Sequence, residues 1–140
     1  MKFFYTSYFI LHTSYLILAP MPSTLQTGYL GEETATSYLR SLGYLIRERN
    51  TRLGHDEIDV IAYDPSDKAI VFVEVKSLAR KRVPESHPAA NFSGRKKRNT
   101  LRSARKWVAK YGYEGGYRVD LVCVIGRRVI EHLRAVNFGY

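Results

Sequence analysis

The sequence predicts a single α/β domain in which helices flank a mixed β-sheet. Three observations carry that reading. The 140 residues suit one compact unit and are too few for two ordinary domains. Apolar residues make up 45% and charged residues 25%, a globular balance that excludes a wholly disordered chain and a polytopic membrane protein. Apolar periodicities then follow in the order helix, three strands, helix, two strands, which calls for a sheet with helices packed on it.

Residues 1–20, MKFFYTSYFILHTSYLILAP, carry Lys2 as their only formal charge. Thr6, Ser7, His12, Thr13 and Ser14 interrupt the roughly 20 apolar residues a membrane span needs, and no small-x-small cleavage site precedes Pro20. This segment is therefore expected to be an apolar leader or spurious N-terminal extension outside the fold, with Met21 as an alternative start and a single domain over 21–140. Over 27–42, Ala35, Tyr38, Leu39 and Leu42 form one helical stripe, which Gly43 ends. Glu32 lies at the edge of that stripe and faces inward, while Glu33 falls on the polar side. Residues 44–49 read as a first strand and 57–62 as a second, with Glu57, Asp59 and Ile61 on one face. Asp64-Pro65-Ser66-Asp67 is a turn. Residues 69–75 (AIVFVEV) are the most apolar run and read as a central strand covered on both faces. After a loop with Pro84 and Pro88, a second helix is expected over 93–112, with Leu101, Ala104, Val108 and Tyr111 inward and Gly112 as its stop. Strands over 117–125 and 129–138 close the sheet around Gly126-Arg127-Arg128.

Charge narrows the partner. Lys and Arg number 22 against 13 Asp and Glu, a formal charge of +9. Between positions 77 and 110, 11 Lys and Arg stand against Glu85 alone, so this segment holds the whole positive excess. Arg80, Lys81 and Arg82 in the loop and Arg95, Lys96, Lys97, Arg98 and Arg102 on the helix are the candidate nucleic-acid contacts, because phosphates would relieve their mutual repulsion. A basic amphipathic helix also suits anionic lipid, but here the apolar stripe is needed for the core and membrane binding is not expected. Cys123, the only cysteine, excludes an internal disulfide and a Cys-rich zinc site, and suits a reducing cytoplasm.

Acidic residues inside apolar strands point to chemistry. A carboxylate in an apolar sheet costs several kcal/mol unless it is paired, protonated or bound to metal. If the second and third strands are neighbours, Asp59 and Glu74 come within reach of one cation. Two carboxylates with the Val75 carbonyl oxygen form a hard-oxygen set suited to Mg²⁺ or Mn²⁺. Lys76, on the same side of the strand as Glu74, would hold the attacking water or the phosphate, and Glu32 would assist the metal or its water. The expected activity is metal-dependent hydrolysis of DNA phosphodiesters. The competing reading is a non-catalytic nucleic-acid-binding protein, in which Glu74 and Lys76 form a same-face ion pair. His55, Asp56 and Glu57 are expected in a solvated turn, His132 and Asp120 in structural hydrogen bonds, Cys123 in the core, and Trp107 and Tyr111 against the sheet.

The blocks GEETATSYLRSLGYLIRERNTR, EIDVIAYD, VFVEVKS, the Lys-rich helix with Ala104, YRVDLVCVI and VIEHLRAVNF resemble the YraN-like protein family, in order, over about residues 28–138. The resemblance implies a restriction-endonuclease-like three-layer sandwich of the PD-(D/E)xK superfamily, similar to archaeal Holliday-junction resolvases. It implies Glu32, Asp59, Glu74 and Lys76 as its helix Glu, strand Asp and Glu-x-Lys positions, and divalent-metal cleavage of nucleic acid. DNA, branched or structured DNA included, is the expected substrate, and a homodimer would suit the cutting of two strands. Two departures stand out: Gly54-His55-Asp56 lengthens the approach to Glu57-Ile58-Asp59, and Ser77-Leu78 stands where the family often has Thr-Arg.

Overall fold

The computed structural model describes residues 9–12, 15–18, 23–78 and 94–136. Arg80, Lys81, Arg82 and the proline-bearing loop lie outside the described residues. Strands β1 (Phe9–His12) and β2 (Tyr15–Leu18) pair antiparallel in a two-stranded sheet of their own. Helix α1 spans Ser23–Ser41, followed by β3 (Leu45–Leu53), β4 (Asp56–Asp64) and β5 (Ala69–Leu78). Helix α2 spans Gly94–Tyr111, then come β6 (Gly116–Ile125) and β7 (Arg128–Leu133). The five-stranded sheet runs in the order β3-β4-β5-β6-β7, antiparallel except for the parallel β5–β6 pair. That parallel step is the crossover that carries α2 to the face opposite α1.

The two faces bury separate cores. Ala35 and Leu39 of α1 pack on Val60, Ala62, Val71, Val73 and Val122, while Ala104 and Trp107 of α2 pack on Ile58, Ile61, Ile70, Phe72 and Val119. β5 lies in the middle, buried from Ala69 through Val75, as its unbroken apolar run predicts. Both helices end in a left-handed glycine: Gly43 has φ +88° and Gly112 φ +57°. The following amides close the last turns, Tyr44 N–H on the Leu39 carbonyl (3.0 Å) and Tyr113 N–H on the Val108 carbonyl (3.0 Å).

Several expectations need correction. α1 buries Ala35, Thr36 and Leu39, whereas Leu42 is exposed. α2 buries Thr100, Ser103, Ala104 and Trp107; Leu101 and Val108 are only partly covered and Tyr111 is exposed, so the helix is turned from the purely apolar stripe. The cause is polar and aromatic anchoring: Trp107 donates its indole N–H to Glu48 (3.0 Å) and packs edge-on against Phe72, and Thr100 lies against Glu74. Gly54-His55 is a tight two-residue turn, since Leu53 already pairs with Asp56. β7 stops at Leu133, short of 138, because Ala135 takes φ +47° and its N–H turns to Asp120, while Val136 N–H reaches the Val119 carbonyl.

Candidate active site

The site forms where β4 leaves β5. Their ladder runs from Asp64↔Ala69 to Val60↔Val73. At the next step the Val75 N–H donates to Asp59 Oδ2 at 2.7 Å, so the side chain occupies the place of a strand partner. Glu57, Asp59 and Ile61 consequently do not share one face: Ile58 and Ile61 both pack on the α2 side, with Val60 on the α1 side between them, and the alternation slips at Asp59. Across the hairpin, between the pairs Arg49↔Val60 and Thr51↔Ile58, Asn50 sits at φ +49°. A left-handed non-glycine residue inside a strand bends it, and asparagine tolerates that conformation better than most. The Asn50 amide also hydrogen-bonds Glu32 from α1.

Glu32, His55, Asp56, Glu57, Asp59, Glu74, Lys96, Asn99 and Thr100 line a cavity of about 400 Å³. The structure thus brings together Glu32, Asp59 and Glu74. Lys76 is not among those lining residues; it continues along Glu74's side of β5, partly buried and opposite Cys123 of β6. The ammonium in the cavity belongs to Lys96 of α2, which pairs with Glu74 Oε1, while the Thr100 hydroxyl lies 3.1 Å from Glu74 Oε2. Glu74 is buried to 2% exposure. Burial, then the neighbouring Glu74 charge, pushes the Asp59 carboxyl up to about 7. Burial also raises Glu32. For Lys96, burial acts to lower the pKa, but the Glu74 carboxylate outweighs it and the ammonium is held above the ordinary lysine value.

Sequence reasoning placed His55, Asp56 and Glu57 in a solvated turn; His55 is an exposed turn residue as expected, whereas Asp56 and Glu57 open β4, and all three border this cavity. Asp56 is held by Arg102 through both carboxylate oxygens (2.8–3.0 Å) and by Lys106 at 3.5 Å, and the Arg102 hydrogen bonds keep its carboxyl below the usual range. The repulsion among the α2 cations, which phosphates were expected to relieve, is thus already eased by acidic partners at Lys96, Arg102 and Lys106. Arg98, Leu101, Arg102, Arg105, Lys106 and Ala109 line a neighbouring groove of about 550 Å³, whereas Arg95 and Lys97 lie outside both linings. A signal for Lys96 existed in the sequence: it precedes Thr100, Ser103 and Trp107 at helical spacing, on the face those residues bury.

Asp120 and His132 are structural, as expected. Asp120 is fully buried and accepts from Arg118 (2.9 Å) and from Ala135 N–H (2.9 Å), with His132 Nε2 at 3.0 Å. Arg118 also reaches Asp64, Asp67 and the Tyr44 hydroxyl. Burial works to raise Asp120, but these donors hold it below the usual range. Burial pushes the Cys123 thiol up to about 11, which suits an inert core side chain.

The donor set suits a divalent cation. Asp59 and Glu74 are hard-oxygen ligands next to the Val75 backbone, and burial followed by the Glu74 charge leaves the Asp59 carboxyl poorly ionised, a penalty that a divalent cation would relieve. Among the described residues, no group of three His, Cys, Asp or Glu side chains is close enough to hold an ion unaided, so water or phosphate oxygens would complete the shell.

These features define the class: an α/β domain with two helices around a five-stranded mixed sheet, consistent with a restriction-endonuclease-like sandwich, and an acidic cavity at its β4–β5 fork. The chain belongs to the uncharacterised protein family UPF0102, the YraN family, which matches residues 31–124. It is similar to the UPF0102 protein of Pelobacter propionicus, 34% identical over 80% of this chain and 82% of the relative. That of Chlorobium chlorochromatii is 36% identical over 82% of this chain and 93% of the relative. That of Mycobacterium sp. strain KMS is 38% identical over 85% and 92% respectively. No described helix is long and apolar enough to cross a membrane.

Proposed function

We propose that the protein is a divalent-metal-dependent endonuclease of the PD-(D/E)xK type that hydrolyses phosphodiester bonds of DNA, branched or structured DNA included. The observation that carries this reading is the convergence of half-buried Asp59 and buried Glu74 in one cavity beneath a cationic helix, with Asp59 raised to about 7 by loss of solvent and its acidic neighbour. Asp59, Glu74 and the Val75 carbonyl would hold Mg²⁺ or Mn²⁺. Bound there, the ion would polarise the phosphate and lower the pKa of water. Glu32, held by Asn50, faces the same space and is placed to orient water. Arg98 and Arg105 in the groove beside the cavity would position the nucleic-acid backbone. Lys76, two residues beyond Glu74 on β5, would hold the attacking water or the phosphate.

The second reading, a nucleic-acid-binding protein without turnover, is favoured by one observation: Glu74 already has the Lys96 ammonium as its cation. Incubation with branched, single-stranded and duplex DNA separates the two. Mg²⁺ or Mn²⁺ is expected to support cleavage and EDTA to abolish it. Asp59→Ala and Glu74→Ala should each reduce the rate by at least about 100-fold, the scale of removing a main electrostatic contributor. Retained cleavage in Asp59→Ala, or DNA binding with no cleavage under any metal, removes the enzyme reading.

A further inference from the structure

Lys96 presents a cation to the very carboxylate a metal ion would use. Its ammonium pairs with Glu74 Oε1, and Thr100, one turn further along α2, lies against Oε2. The Lys96 side chain is nevertheless 58% exposed and stands in the first turn of the helix, so it can leave the cavity without moving the backbone. It lies on the same helix as Arg98 and Arg105, whose groove adjoins the cavity. An ammonium and a divalent ion held by one carboxylate pair repel strongly in a partly buried site. A lysine head on a flexible four-carbon stem can exchange one anionic partner for another.

We propose that Lys96 is the resident cation of this site: it neutralises Glu74 in the metal-free protein, gives way to the divalent ion, and then reaches a phosphate of nucleic acid lying along α2. Metal and nucleic acid are thereby coupled, because each favours the outward position of the same side chain, and linkage makes the coupling reciprocal. This inference rests on the metal-dependent reading above. It assigns Lys96 as a positioning residue that competes with the metal, the opposite of a lysine that assists metal binding.

Titration calorimetry of Mn²⁺ into the full chain at about pH 8, above the Asp59 value of about 7, tests it without relying on cleavage. Lys96→Met is expected to tighten Mn²⁺ binding by about tenfold, within the usual range of coupling between sites. Lys96→Arg, which keeps the charge, and Lys110→Met, which removes a helix charge away from the cavity, are expected to stay near the parent. Lys96→Gln serves as a second neutral variant, and circular dichroism verifies the fold of each. A short phosphorothioate duplex should tighten Mn²⁺ binding by the parent and do so less for Lys96→Met. If the parent binds Mn²⁺, Asp59→Ala does not, and both neutral variants bind as the parent does or more weakly, this inference is overturned while the metal site stands. An equal effect of the duplex on parent and Lys96→Met also overturns it. Absence of Mn²⁺ binding from the parent and both neutral variants removes the metal reading and this inference together.

Discussion

Asp59 is where the conflict between burial and charge is sharpest. Its carboxyl titrates near 7 in the folded chain against an ordinary 3.8, so the native state holds its proton more tightly than the unfolded state does. The stability linked to that proton is complete below about 3.8 and is lost as pH rises through about 7. Asp56, Asp64 and Asp120 are shifted the other way, and their contributions are lost on acidification instead. The informative quantity is thus the difference between parent and Asp59→Asn. In EDTA, the parent is expected to lose stability relative to Asp59→Asn from about pH 4 to about pH 7 in denaturant titrations, with no further divergence above. A constant difference across that range would show that Asp59 is ionised throughout. Asp59 and Glu74 stood out in the sequence because acids are costly in apolar strands. Asn50 did not, because its importance lies in a backbone dihedral that no residue pattern displays.

At the scale of elements, the close approach of α1 to β5 places Glu32. Gly31 is buried, and a Cβ built on it would meet Ser77 Oγ at 1.9 Å and Ser77 Cβ at 3.2 Å. Alanine at this helix position would gain about 1 kcal/mol of intrinsic propensity, but overpacking costs about 1–3 kcal/mol. Gly31→Ala is therefore expected to be destabilising by about 1 kcal/mol in the parent and close to neutral in a Ser77→Ala background, where the nearest atom is gone. Equal effects in the two backgrounds, measured by chemical denaturation, would remove this contact as the reason for glycine. The rotation of α2 follows similar logic. Apolar spacing alone favoured Leu101, Val108 and Tyr111, whereas Trp107 on Phe72 and Thr100 at Glu74 turned the helix enough to bring Lys96 into the cavity. The helical spacing of Lys96, Thr100, Ser103 and Trp107 marked that face, but apolar periodicity gives polar anchors no weight, so the rotation was missed.

Across the whole molecule, an acidic cavity lies beneath a strongly cationic helix. If that helix binds nucleic acid, log affinity for duplex DNA falls linearly with log salt, by about 0.9 for each phosphate neutralised. Arg98→Gln with Arg105→Gln is expected to reduce the slope by about 0.9 per lost contact, measured by fluorescence anisotropy across a salt series. Neutralising Arg102 would confound that measurement, since its guanidinium already holds Asp56. A slope unchanged in the double variant would place the binding surface elsewhere. Element order from α1 to β7, the central β5 and the two strand carboxylates follow from the sequence alone, because side-chain periodicity and the cost of burying charge are local properties of the chain. Tertiary structure decided that β4 forks from β5 at Asp59, that Lys96 pairs with Glu74, and that Asp56 borders the cavity. These depend on how far strands diverge and how helices rotate as distant side chains compete for the same space, and such competition exists only once the layers have packed.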